Sequence, residues 1–374
     1  MPYFGPHAGR HVALLSYRLG MADGVSVTAT QWATALRRLG ARVTTVAGEG
    51  LADVIVPELA VDAPVPPARG RLAAVLDDAD LVVADNVCSL PMNRAVGEAV
   101  AEYLVGRPAV LRHHDLPWER AQYAGVTSWP HDDPAWRHVT ISELARRDLA
   151  ARRGITATTV YHGFDEQPCP ARRAAVRAEL GVTGPLVLQP TRAIARKNVD
   201  VGLALARALG ATFWLTGPAE DGYADRLEQL VRDADVPVRR GLPAGVPVAA
   251  ANAACDVVAL PSSWEGFGLP LVESALHRRP LVVGEFPVAR ELGALGFRWF
   301  NPADHDALRD WLADPDPALL DHNEAVARRH FGMDALVRRL DRLLSGSSMC
   351  HHARVPDQDG AGEGKLTGCD CLTV

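Results

Sequence analysis

The sequence predicts an α/β protein built from two parallel-sheet units, and three observations carry that prediction. Short apolar runs rich in β-branched residues alternate with segments of helical periodicity along 11–344. The alternation breaks once, at Glu166-Gln-Pro168-Cys-Pro170, which suits neither helix nor strand. A length of 374 residues leaves room for two domains of ordinary size, each able to bury its own core. Domains are therefore expected at 1–165 and 166–345, followed by a tail at 346–374 that is poor in apolar residues and rich in Gly and Ser, the composition of a disordered segment.

Composition narrows the function classes. A hydrophobic content of 48% with 22% charged residues is that of a soluble globular protein, and a formal charge of −6 offers no general basic footprint for nucleic acid. No run approaches the roughly 18 consecutive apolar residues of a spanning helix. The first residues, Met1-Pro-Tyr-Phe-Gly-Pro-His7, lack the basic-then-apolar pattern of a leader, so the expectation is a cytoplasmic chain without an integral membrane segment. Cys88, Cys169 and Cys255 are scattered singly, which suits a reducing compartment. The tail places soft ligands at Cys350-His351-His352 and Cys369-Asp-Cys371, but no packing pattern joins them and no metal site is assigned.

In the first half, 11–15 reads as a buried parallel strand ending in a glycine-bearing loop, Gly20-Met-Ala-Asp-Gly24. A helix is expected over 28–39, with Trp32, Ala35, Leu36 and Leu39 on one face and Gly40 to end it. A strand at 42–46 completes a βαβ unit, which binds ligands outside the carboxyl ends of its strands. The glycine spacing is not G-x-G-x-x-G and no acid ends the second strand, so a dinucleotide site is poorly supported. A strand at 81–84, a helix at 92–105 and a strand at 109–112 follow, the last delivering His113-His114-Asp115 to the same sheet edge. The stretch 118–136 is polar and aromatic without periodicity and reads as a loop, either a ligand platform of rings on which sugar faces could stack or a hydrophobic clamp. A strand at 138–141 leads to Thr140-Ile-Ser-Glu143, whose spacing is that of a capping box for a helix running through Leu149, and a strand at 158–161 closes the half.

The second half starts again with a strand at 186–189, and Arg192 and Lys197 on the loop after it could face one anion or simply form a solvated basic turn. Helix at 201–209, strand at 212–216, helix at 223–232, strand at 236–239 and helix at 246–254 lead to a strand at 256–260. That strand runs into Pro261-Ser-Ser-Trp-Glu265-Gly-Phe-Gly-Leu-Pro-Leu-Val-Glu273. A strand, a glycine-rich turn and a helix start make a natural anion cradle, with the main-chain N–H groups of Gly266, Phe267, Gly268 and Leu269 aimed outward. Glu265 and Glu273 flank it, one able to address a sugar and the other the vicinal hydroxyls of a ribose; the plainer reading is a tight turn with solvated acids. A strand at 280–284, a short helix from 289, a helix at 306–313 and a long one at 319–344 finish the domain.

The Glu265–Glu273 segment resembles the glutamate, seven residues, glutamate signature of the retaining glycosyltransferases of family 4, which have the GT-B fold. Further stretches resemble that family in its order: a Gly-rich loop at 20–24, His114 followed by Asp115, and Arg192 with Lys197; the turn His162-Gly-Phe-Asp165 is similar to its Asn-Gly-Val-Asp turn, with His for Asn. The resemblance spans 10–344 and implies two Rossmann-like, doubly wound parallel-sheet domains facing a central cleft, with the last helix crossing back to the first domain. It implies transfer of a hexosyl group, with retention, from a nucleotide diphosphate sugar to an acceptor hydroxyl, the donor being a co-substrate and neither cofactor nor metal being needed. In that reading His114 and Glu265 orient the sugar from opposite domains, and Glu273 holds the ribose. Gly20 and Gly24 let the backbone approach the diphosphate, which Arg192, Lys197 and the N–H groups of 266–269 neutralise. Two alternatives stay open: a nucleotide-sugar 2-epimerase of the same fold and a non-catalytic nucleotide-sugar-binding protein. Within the family, residues 17–26 are similar to transferases that build small glycosylated solutes such as mannosylglucosylglycerate.

Overall fold

The structure is a computed structural model that describes residues 7, 9–21, 23–165 and 172–345. The expected linker at 166–170 and the tail from 346, with its cysteine and histidine clusters, lie outside the described residues.

The first sheet consists of β1 (His11–Leu19), β2 (Arg42–Gly50), β3 (Val54–Ile55), β4 (Leu81–Asp85), β5 (Ala109–His113), β6 (Trp136–Thr140) and β7 (Ala157–Thr159). They run parallel in the order β3-β2-β1-β4-β5-β6-β7. Helices α1 (Gly24–Arg38), α2 (Arg69–Leu76), α3 (Arg94–Leu104) and α4 (Glu143–Arg153) cover it. The second sheet has β8 (Leu186–Gln189), β9 (Thr212–Leu215), β10 (Val238–Arg240), β11 (Val257–Leu260) and β12 (Leu281–Val283) in the parallel order β10-β9-β8-β11-β12. Around it lie α5 (Arg173–Leu180), α6 (Val199–Ala208), α7 (Ala224–Arg232), α8 (Val248–Ala254), α9 (Leu269–Leu276), α10 (Pro287–Ala294), α11 (His305–Ala313) and α12 (Pro317–Phe331). The last helix, α13 (Met333–Ser345), packs on α1 and adds Met333, Leu336, Leu340 and Leu343 to the core of the first sheet.

Strand order decides where a ligand can sit. In each sheet the winding reverses once, between β1 and β4 in the first and between β8 and β11 in the second, so the loops leaving those strand ends diverge and open a crevice. Those loops are 20–23 and 86–93 in one sheet, 190–198 and 261–268 in the other.

Several expectations are corrected. The single helix expected over 319–344 is two, because Gly332 carries extended backbone between them; Phe164 donates its N–H to Phe331 O at 2.7 Å and accepts from Met333 N at 3.2 Å, so the first domain's closing turn holds the break. The Thr140–Glu143 capping box does not form. Ser142 is the N-cap, bonding Ala145 N at 3.1 Å, and the acid at this helix start comes from the second sheet's side: Glu291 accepts from Glu143 N at 2.8 Å and Leu144 N at 3.0 Å. Within 118–136, Trp129 is fully buried against α3 at Gly97 and Trp136 is buried with its indole N–H on Leu104 O, so these two rings act as the clamp rather than as a platform.

Candidate active site

β11 is buried along its whole length and delivers the 261–268 loop to α9. Gly268, the residue before that helix, has φ +89°, a left-handed conformation that disfavours any side chain, and no side chain caps the helix start. The first-turn N–H groups of α9 therefore keep the positive end of the helix dipole without a side-chain acceptor at the cap.

The neighbouring 190–198 loop is fastened to this one at several points. Ser263 N donates to Arg196 O at 2.9 Å, and Asn198, itself at φ +48°, donates its side-chain amide to Pro261 O at 2.9 Å. Gln189 at the end of β8 donates to Lys197 O at 2.8 Å. So held, Lys197 points its ammonium at Glu265, and both side chains are buried. Burial pushes the Lys197 pKa down, and Arg196 and Arg192 push the same way while Glu265 opposes them. Glu265 also accepts from Ser262 Oγ at 2.6 Å and faces Arg196 at 3.4 Å. Arg192 stands apart from this pair, partly exposed and bonded to Glu220 at 2.6 Å. Glu273 is buried in the second turn of α9.

On the first sheet, His114 follows the end of β5, and its Nε2 lies 2.8 Å from Asp85 at the end of β4. The other Asp85 oxygen accepts from Arg112 at 3.0 Å, and Arg112 in turn donates to His162 Nδ1 at 3.1 Å. Because arginine can only donate, His162 must accept there, which fixes its tautomer. Asp85 and Arg112 are completely buried, and the Arg112 guanidinium lies over the Trp32 ring at 4.7 Å. Burial alone would raise the Asp85 carboxyl, but Arg112 and His114 beside it outweigh that and hold it below its usual value. Asn86, at φ +65°, accepts from His114 N at 3.2 Å, so both ends of the histidine are set. His113 goes elsewhere: its ring joins Ser89 at 2.9 Å and His138 at 2.9 Å, and His138 reaches Asp132 at 3.0 Å.

The two halves meet at the sequence-predicted residues. A Cβ on Gly266 would lie 3.4 Å from His114 O, and one on Gly24 would lie 3.4 Å from Leu269 Cδ1. The Phe267 ring stands edge-on to His162 at 4.6 Å, and His162 stacks on His114 at 5.7 Å. Gly24, His114, Gly266, Phe267 and Leu269 thus converge from two sheets, while Lys197 and Glu265 form the second-sheet wall. Gly20, at φ +69°, is a turn residue packed closely on Leu51. Sequence reasoning overlooked Asp85, Arg196 and Ser262. An acid directly ending a buried strand at the edge that carries His114 was the available signal for Asp85. Among the described residues no group of three or more His, Cys, Asp or Glu side chains is arranged to hold a metal ion, and no helix is long and apolar enough to cross a membrane.

Residues 174–316 match the family model described as "Glycosyl transferases group 1". The chain is 24% identical to the mannosylglucosylglycerate synthase of Thermotoga maritima, over 89% of this chain and 98% of that protein. It is 22% identical to the protein of the same name from Petrotoga mobilis, over 76% and 85%. Among solved structures it is similar to Anabaena HepE in complex with UDP-glucose (TM-score 0.67, 20% identity, 90% of this chain and 100% of that one). It is also similar to sucrose-phosphate synthase from Thermosynechococcus elongatus (TM-score 0.66, 17% identity, 90% and 98%). The structural likeness establishes the GT-B fold, and the match to the glycosyl transferases group 1 model lies over the second sheet and its loops.

Proposed function

We propose that the chain is a retaining glycosyltransferase of family 4 that moves a hexosyl group from a nucleotide diphosphate sugar to an acceptor hydroxyl. The observation that carries this reading is the buried Lys197–Glu265 pair beside the uncapped start of α9, across from His114 and Asp85. A departing diphosphate gains negative charge as the glycosidic bond breaks, and catalysis requires groups that stabilise this charge more than that of the bound donor. Lys197 and the N–H groups of 266–269 are such groups, and Arg192 reaches the same anion by leaving Glu220. A diphosphate drawn to Lys197 competes with Glu265 for the ammonium, which releases a carboxylate oxygen to accept a sugar hydroxyl. His114, kept in place by Asp85, addresses the sugar from the other side, and Glu273 holds the ribose. The mannosylglucosylglycerate synthases support a small hydroxylated solute as acceptor.

The test is a thermal-shift screen against UDP, GDP and ADP and their glucose and mannose conjugates, with and without EDTA, followed by transfer assays. One nucleotide series should stabilise the protein by about 2.7 kcal/mol at a hundred times its Kd, with EDTA making no difference. Glu273→Ala should weaken nucleotide binding, while Glu265→Ala should lower turnover on the order of a hundredfold. Equal, negligible effects from both would sink the site assignment, and binding without turnover on any acceptor would favour a non-catalytic binder.

A further inference from the structure

A second cavity, of about 330 Å³, lies between the edge of the first sheet and the last helix, lined by Arg137, Thr158, Thr159, Val160, Arg339, Arg342 and Leu343. Three arginines and Thr158 face it and no carboxylate lines it, while the Thr159 hydroxyl turns to the other side of the strand and donates to Ser142 O at 3.4 Å. Its geometry follows from the sheet. Val139 pairs with Thr158 across β6 and β7, so Arg137, two residues earlier on β6, shares their face of the sheet. That is the face α13 covers, with Val139 and Val160 packed under Met333, Leu336 and Leu340. β7 is the last strand of the sheet, so its outer edge has no neighbouring strand. Arg339 and Arg342 are three apart on α13 and project together toward that edge.

These charges lack anionic partners. Arg137 donates to Leu343 O and Arg339 to His330 O, both neutral acceptors, and among the described residues none of the three arginines pairs with an acid. Asp341, the nearest acid on the helix, is taken by His7 at 3.3 Å. Burial pushes the Arg339 pKa down, and Arg342 and Arg338 push it further; burial and Arg10 do the same to Arg137. Like charges gathered in a concave, partly buried place are mutually unfavourable unless an anion joins them, and guanidinium forks with a hydroxyl alongside suit phosphate oxygens.

We propose that Arg137, Arg339 and Arg342, with Thr158, form a binding site for a small phosphorylated anion, separate from the proposed sugar-transfer cleft. The site ties the first sheet to the helix that follows the second sheet. It also borders the cleft indirectly, since Arg339 lies over the Tyr161 ring at 5.1 Å and that ring meets Phe267 at 6.2 Å.

The probe is inorganic pyrophosphate, titrated calorimetrically into the full chain at fixed ionic strength, with wild type, Arg342→Gln, Arg342→Lys and Arg192→Gln compared. Arg342 is exposed, so its substitution leaves the fold in place. The expected result is that Arg342→Gln weakens one pyrophosphate site at least tenfold, Arg342→Lys weakens it less, and Arg192→Gln leaves that site unchanged and alters only pyrophosphate bound in the transfer cleft. Absence of pyrophosphate binding overturns the proposal, as does binding that survives Arg342→Gln and is lost in Arg192→Gln, which would place the anion in the transfer cleft.

Discussion

Asp85→Asn should be one of the most damaging single-atom changes available to the first domain. The carboxylate and Arg112 are both fully buried, and Asp85 serves Arg112 at 3.0 Å and His114 at 2.8 Å with its two oxygens. An amide keeps one acceptor and turns a donor toward whichever of the two groups it cannot serve. Arg112 then keeps a buried charge without an anion, and its Nε already lacks a hydrogen-bond partner. Breaking a buried pair from one side costs about 3–5 kcal/mol. At roughly 2–4 °C per kcal/mol for a domain of this size, the transition should fall by about 6–20 °C. Thermal melts followed by circular dichroism at pH 7 would read it, with Arg112→Met and the double variant beside it. The double variant should lose clearly less than the sum of the singles, because the orphaned charge leaves with its partner. A loss below about 1 kcal/mol for Asp85→Asn, or strict additivity, would refute the reasoning.

Other consequences are equally open to measurement. Burial pushes His113, His138 and His162 down, with His138 and His114 adding to it for His113, Asp132 opposing it for His138, and Arg112 and His114 adding to it for His162. The folded state resists their protonation, so stability should be level above about pH 6.5 and decline as pH falls below it, by up to about 1.4 kcal/mol per pH unit for each histidine; denaturant titrations at pH 7 and 5 that agree would contradict this. Asp85 acts lower: held below its free value, it contributes fully above about pH 3.9 and loses that contribution as pH falls through the folded value. Gly97→Ala should destabilise by about 1–3 kcal/mol despite alanine's helix preference, since its methyl would enter the buried Trp129 ring; a raised urea midpoint would count against it. Glu291→Ala and Tyr161→Phe, which remove a 2.7 Å bond between the domains, should each cost about 0.5–2 kcal/mol and show a coupling of at least about 0.5 kcal/mol in a double-mutant cycle.

The sequence shows strands where both faces are covered, because burial on two sides leaves a continuous apolar run. β8 and β9 stand out for that reason, and β11 does too, with the glycine turn and helix start that mark the candidate site. Elements lacking this contrast escaped. β3 is two residues long, and α2 offers only Leu72 and Leu76 as buried anchors. α5, with Val176 and Leu180 buried, follows directly on the proline-bearing stretch and was not anticipated. In the site, the residues at element junctions were legible, since loop chemistry is local. The network behind them was not: Asp85, Arg112 and His162 come from three separate stretches, and Glu291 caps a helix 148 residues away. Partnerships across such distances depend on the sheet order, which no local pattern carries.

The position of α13 bears on how the chain folds as it is made. Met333, Leu336, Leu340 and Leu343 cover α1 and the first sheet, and burying each such side chain stabilises by about 1.5–3 kcal/mol. A growing polypeptide presents β1 to β7 early, yet the helix that seals them emerges after the whole second sheet. The later-made half has all its strands in hand before the earlier one receives its last helix. On the ribosome the first sheet therefore lacks α13's share of its core until residues 333–345 have left the exit tunnel, however early β1 to β7 pair.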